Sequence, residues 1–181
     1  MSQVSKYIIS GGPGAGKTSV LEALKRLNYP CFDEVSRQLI AEEVLKGAGC
    51  VPWTNLPCFA EKALERMVIL YRQAAACNGI TFFDRGIPDI IAYLKVAALP
   101  VAEEYYRAAQ NYPYQPAVFI LPPWKEIYRN DPERWQTFEE ATAIHDAITE
   151  TYQSLGYTMI ELLKGSVEQR VRQIIQLVHA A

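Results

Sequence analysis

The segment Gly11-Gly12-Pro13-Gly14-Ala15-Gly16-Lys17-Thr18 spells G-x-x-x-x-G-K-T, and its residue types suit one chemistry. Successive backbone N–H groups in such a loop point inward and form a nest for phosphate oxygens. The glycines let the backbone approach closely and accept positive φ. A helix opening at the end of the loop adds its positive dipole end. Lys17 is placed to reach the β- and γ-phosphates of a nucleoside triphosphate, and the Thr18 hydroxyl to sit on Mg²⁺. The expected phosphate contacts are Gly12, Gly14, Ala15, Gly16, Lys17, Thr18 and Ser19. A dinucleotide fingerprint is excluded by spelling, because the pattern that starts at Gly12 meets Lys17 where a third glycine belongs.

Carboxylates and arginines supply the remaining candidate chemistry. Asp84 ends the apolar run Ile80-Thr81-Phe82-Phe83, the arrangement that holds a carboxylate near Mg²⁺ and its waters. Arg85 follows at once, and a planar guanidinium can bind transferring phosphates bidentately. Asp33-Glu34 follows Tyr29-Pro30-Cys31-Phe32. An acid there can take a proton from a substrate hydroxyl or orient a water. The plainer alternative makes Asp33 a helix cap and pairs Glu34 with Arg37 at i,i+3. Arg37 is also placed to meet an anionic substrate group. Trp53, in Gly49-Cys50-Val51-Pro52-Trp53, is a candidate to stack on a substrate ring or, more plainly, to cover a helix end. Arg129 and Arg134 flank a charged connection, Tyr128 to Arg134. That connection reads as a lid around 124–137 closing over the γ-phosphate, or as a surface turn.

These residues need elements to carry them. Five short apolar runs read as strands: Tyr7–Ser10, Tyr29–Phe32, Ile80–Phe83, Ala117–Leu121 and Tyr157–Glu161. Helical patterns lie between them. Pro57 to Asn78 repeats apolar residues at helical spacing, with Gly79 as the stop. Thr137-x-x-Glu140 and Ser166-x-x-Gln169 are capping boxes for the last two helices. Alternating strands and helices predict an α/β three-layer fold with a parallel sheet. Each candidate acid then stands at the carboxyl end of a strand, where ligands of such sheets bind.

Bulk properties narrow the function. The chain has 181 residues, half of them hydrophobic, and a net charge of −2. One folded domain over 1–181 is expected, with no basic footprint for nucleic acid. No apolar run approaches the ~20 residues of a membrane span. The N-terminus fits no signal peptide. Cys31, Cys50, Cys58 and Cys77 show no C-x-x-C pair or zinc spacing. They read as reduced thiols of a cytoplasmic protein.

Ile9–Leu24, Asp33–Ile40, Phe82–Leu94, Val118–Ala141, Leu155–Leu162 and Ser166–Val171 together resemble the NadR-like P-loop ATPases, small AAA-domain proteins related to ribosylnicotinamide kinase. The segments containing Asp84-Arg85-Gly86-Ile87-Pro88-Asp89 and Pro122-Pro123-Trp124 are more specific than the phosphate loop alone. The resemblance implies a kinase-like P-loop NTPase fold with strand order 2-3-1-4-5. It implies ATP with Mg²⁺ at Gly14, Gly16, Lys17, Thr18 and Asp84, with Glu34 as base and Arg129 and Arg134 as lid arginines. The chain departs from the family pattern at Leu163, where proline is usual, and at Trp135, where arginine is common. The expected activity is transfer of the ATP γ-phosphate to a hydroxyl of a small, nucleoside-like metabolite. A regulatory ATPase or nucleotide switch acting on a protein partner is the alternative. No N-K-x-D sequence occurs to read guanine. The resemblance leaves the acceptor and the oligomeric state open.

Overall fold

The computed structural model describes residues 4–47, 49–128 and 137–180. Five strands, β1 (Ser5–Gly11), β2 (Cys31–Phe32), β3 (Ile80–Asp84), β4 (Ala117–Leu121) and β5 (Thr158–Glu161), form one sheet in the order β2-β3-β1-β4-β5. Every pairing is parallel, with Ile9 opposite Asp84 on one side and Phe119 on the other. The helices are α1 (Lys17–Arg26), α2 (Val35–Leu45), α3 (Leu56–Gln73), α4 (Ile87–Val96), α5 (Glu103–Asn111), α6 (Phe138–Ser154) and α7 (Val167–Ala180). The expected fold class and strand order are therefore the observed ones.

Period-two alternation along β1 divides the core. Tyr7 and Ile9 face α1 and α7, packing with Val20, Leu24, Phe82, Phe119 and Ile174. Ile8 faces the opposite layer and packs with Phe83, Val118, Ile148 and Tyr152. A third cluster joins α2 to α5 through Leu39, Phe59, Ile87, Ile91 and Tyr105. Burying each such side chain contributes roughly 1.5–3 kcal/mol.

The helices start where their residues supply caps. Asn55 opens α3, its side chain accepting from Cys58 N at 3.1 Å. Both predicted capping boxes form. Thr137 and Glu140 exchange bonds at α6, and Ser166 and Gln169 at α7. Helix α1 differs. It begins after Gly16 at φ 90° with no side-chain cap and no acid in its first turn. An uncapped N-terminus leaves backbone donors for an anion.

Three readings need correction. β2 is two residues long rather than four, because only Cys31 and Phe32 pair with β3. The predicted 57–78 helix is α3 over Leu56–Gln73, followed by a 3₁₀ turn over Ala74–Ala76. Cys50 and Cys58 form a disulfide, with Cα atoms 5.5 Å apart. Asn55 turns the chain into α3 and brings Cys58 back to the buried Cys50. Cys31 and Cys77 are free thiols. No described helix is long and apolar enough to cross a membrane.

Candidate active site

The phosphate loop runs from the end of β1 into α1. It lies tight against α6, since a Cβ on Gly12 would come 2.5 Å from the Ala141 carbonyl oxygen. Gly14 and Gly16 take φ of 74° and 90°, conformations open to glycine. The Tyr128 ring packs over Gly14, where a Cβ would meet it at 2.6 Å. Lys17 folds back across the loop and donates from Nζ to the carbonyls of Gly11 and Gly12, each at 3.1 Å. Burial, with the nearby Arg85 charge, lowers its pKa to about 8 against the opposing pull of Asp84, Glu34 and Asp89. A polyanion beside Lys17 would reverse that balance. Thr18 and Ser19 are exposed at the cavity edge.

Opposite the loop lies a chain of charges. Glu34, the residue before α2, accepts from Arg85 Nε at 2.9 Å and from Arg37 Nε at 3.2 Å. Arg85 Nη1 donates to Asp89 Oδ1, in the first turn of α4, at 3.0 Å. Asp89 also accepts from the hydroxyls of Ser10 and Tyr152 and from Gly86 N. Arg85 itself stands at φ 71°. A non-glycine residue in that region costs about 1–3 kcal/mol and persists where its surroundings fix it. Its backbone N–H bonds Ile9 O at 3.1 Å, and its guanidinium lies 5.3 Å from the Tyr93 ring centroid. Burial pushes the Glu34 pKa up, but Arg85, Lys17 and Arg37 outweigh it and hold the carboxyl at about 2.

Asp84 is buried at the end of β3, and its Oδ1 has no hydrogen-bond partner among the described residues. Burial raises its pKa to about 6, with Glu34 and Asp89 acting in the same sense against Lys17 and Arg85. An orphaned carboxylate oxygen beside a phosphate loop is a donor suited to Mg²⁺ or to a water on it. The glycine cradle, the uncapped helix end and Lys17 fit a triphosphate. Thr18 and Asp84 are the residues here that would hold a Mg²⁺ ion beside it.

One cavity of about 610 Å³ joins the phosphate loop to the Glu34–Arg85–Asp89 charges, and Asp84 does not line it. The phosphate loop, Glu34, Arg37, Arg85 and Asp89 line it together with an apolar wall from α2, α3 and α4.

A protein-family model described as an AAA domain matches residues 6–170. The chain belongs to the AAA-domain family. No curated protein matches this AAA-domain chain by sequence. Among solved structures, the NadR protein in complex with NR superposes with a TM-score of 0.73 at 17% identity, covering 98% of this chain and 50% of that one. Deoxyadenosine kinase from M. mycoides gives a TM-score of 0.68 at 18% identity, over 97% of this chain and 100% of that one. Thymidylate kinase from Ehrlichia chaffeensis gives 0.65 at 14% identity, over 97% and 98%. The family match and the NadR superposition agree with the NadR-like resemblance read from the sequence. At these identities, the likeness to each solved structure is one of fold.

In this AAA-domain chain the expected residues sort by position. The phosphate loop, Glu34, Arg37 and Arg85 share the cavity, with Asp84 buried next to Arg85. Asp33 does not join them. It pairs with Lys25 on α1 and its side chain is 57% exposed. The two-residue β2 and the turn into α2 send Asp33 outward and Glu34 inward. Trp53 is also exposed, and its neighbour Pro52 lines the cavity instead. Arg129 and Arg134 lie outside the described residues.

Four contributors to the site had no place in the sequence reading. Asp89, in the first turn of α4 and four residues after Arg85, had a local signal in that spacing. Ser10 and Tyr152 reach Asp89 from 79 and 63 residues away. Arg170 donates from Nη1 to Ala15 O at 3.3 Å across 155 residues. It also binds Gly165 O through Nε and Nη2, with its guanidinium 5.1 Å from the Trp124 ring centroid. None of these long-range pairings has a local sequence signature.

Proposed function

We propose that this AAA-domain protein is an ATP-dependent phosphotransferase that moves the γ-phosphate to a hydroxyl of a small molecule. One observation carries the reading. A single cavity has a phosphate loop on one wall and an ion-paired carboxylate, Glu34, with an apolar surface beyond it on the other. A switch ATPase needs no such second half.

The chain's own residues divide the work. Loop N–H groups and Lys17 bind and orient the triphosphate. Lys17 and Arg85 supply positive charge beside the transferring group. Thr18 and Asp84 would hold Mg²⁺, which would supply positive charge against the triphosphate. Glu34 accepts a hydrogen bond from the acceptor hydroxyl and takes its proton as the new O–P bond forms. A carboxyl held at about 2 is a weak base. A loose phosphoryl-transfer transition state asks little base strength and much positioning. The Arg85–Asp89 link fixes Glu34 for that task. ADP and a phosphorylated alcohol are the products.

Incubation with Mg-ATP and a panel of small alcohols, followed by mass detection of phosphorylated acceptor, tests the reading. A phosphorylated acceptor supports it. ATP binding with unstimulated ADP release across the panel favours the switch.

A further inference from the structure

The acceptor half of the cavity has a chemical character of its own. Its polar side chains gather at one end, at the starts of α2 and α4, as Glu34, Ser36, Arg37, Arg85 and Asp89, with Tyr93 beside Arg85. Beyond them the wall is Ile40, Leu56, Phe59, Ala63, Met67 and Ile90. No asparagine, glutamine or histidine lines the cavity among the described residues. Phe59, Ala63 and Met67 fall on one face of α3 at spacings of four, so a continuous apolar stripe faces the opening.

The charges at the polar end are matched. Glu34 takes Arg85 and Arg37, and Asp89 takes Arg85. Two carboxylates stand against two guanidiniums, and the arginines are already engaged. A phosphate or carboxylate on the acceptor would have to compete with Glu34 and Asp89 for Arg85, whose side chain is 5% exposed, and breaking such a pair is costly. A nucleobase or polyol would bring ring nitrogens, amino groups or extra hydroxyls against the α3 stripe. A buried polar group left without a partner costs roughly 1–3 kcal/mol, and two such groups are enough to reject a ligand by about tenfold or more.

We infer that the acceptor is a neutral alcohol with a single polar end and a hydrocarbon body, alkyl, alkenyl or aryl. The hydroxyl meets Glu34, and the body lies along Phe59, Ala63 and Met67. This rests on the phosphotransferase reading and narrows its small-molecule acceptor to one class.

The test separates the two claims. Binding of n-butanol, n-hexanol, n-octanol and benzyl alcohol is measured by calorimetry on the full chain with Mg²⁺ and a non-hydrolysable ATP analogue. Adenosine, thymidine, glycerol and a cyclic hydroxy acid are measured alongside. Transfer from ATP to each is then followed by mass. Affinity should rise about fourfold per added methylene until the wall is filled, and the polar compounds should bind at least about tenfold more weakly. Ala63→Leu should weaken n-octanol by about tenfold or more, spare n-butanol, and leave binding of the ATP analogue unchanged as the check on folding. A flat response to chain length overturns the inference. So does tighter binding of adenosine, thymidine or the hydroxy acid. Transfer to a nucleoside alone keeps the kinase and removes the apolar acceptor. Steep binding of n-alcohols without transfer to any compound keeps the apolar site and removes the kinase.

Discussion

Arg85 Nε donates to Glu34 Oε1 at 2.9 Å while its Nη1 donates to Asp89 Oδ1 at 3.0 Å. One guanidinium thus ties the carboxylate at the start of α2 to the first turn of α4. The pair is almost wholly buried, with side-chain exposures of 5% for Arg85 and 2% for Asp89. Arg85→Ala removes the buried cation that Asp89 and the partly buried Glu34 share. It should destabilise the protein by about 3–5 kcal/mol, read by urea denaturation. Arg85→Lys keeps the charge but cannot span both partners, and should recover only part of that loss. Equal stability of all three proteins would remove the link from the account.

The same link sets a pH dependence. The Glu34 carboxyl is held at about 2 in the folded chain, below the ordinary value of about 4.3. A group whose folded pKa is depressed stabilises the protein fully above its unfolded pKa. That contribution is lost as pH falls from about 4.5 toward 2. Glu34→Gln should therefore flatten the acid limb of the stability curve over that window. Melting temperature against pH for both proteins checks the sign.

Lys17 makes a contrasting prediction. Its ammonium is buried and, among the described residues, hydrogen-bonds to the carbonyl oxygens of Gly11 and Gly12. Its charge is disfavoured there, as the lowered pKa of about 8 records. Lys17→Ala should leave the ligand-free protein as stable as before or slightly more so. Nucleotide affinity should fall by about ten- to a hundredfold, the worth of a charge-assisted contact. Calorimetry with ATP and a thermal melt without it separate the two effects.

The Cys50–Cys58 disulfide closes a short loop that carries Pro52 and leads into Leu56, both on the cavity wall. With a sequence separation of 8, its removal should cost about 2–3 kcal/mol by the loop-entropy relation. Cys50→Ser with Cys58→Ser, compared with the untreated and the reduced protein in thermal melts, measures this. The reduced protein should match the double variant.

How much of this was legible in the sequence follows from the range of the interactions. The phosphate loop is a local pattern with its chemistry in eight consecutive residues, and strand order followed from the family resemblance. The capping boxes at Thr137 and Ser166 are three-residue bonds and formed as spelled. Choosing between Asp33 and Glu34 needed the exact point where β2 stops, one residue that periodicity cannot fix. The disulfide matched no known spacing. Asp89 accepts from Gly86 N at 2.9 Å as an acid in the first turn of α4. Its second task, holding Arg85, appears only when Ser10 and Tyr152 are folded around it.

The most direct measurement is single-turnover transfer from Mg-ATP to an accepted alcohol by the wild-type chain and by Glu34→Gln. The account predicts that Glu34→Gln binds ATP with unchanged affinity while phosphorylated alcohol forms about a hundredfold more slowly or worse. Transfer at the wild-type rate with ATP affinity intact would contradict it, because the phosphate loop and Glu34 would then not belong to one reaction.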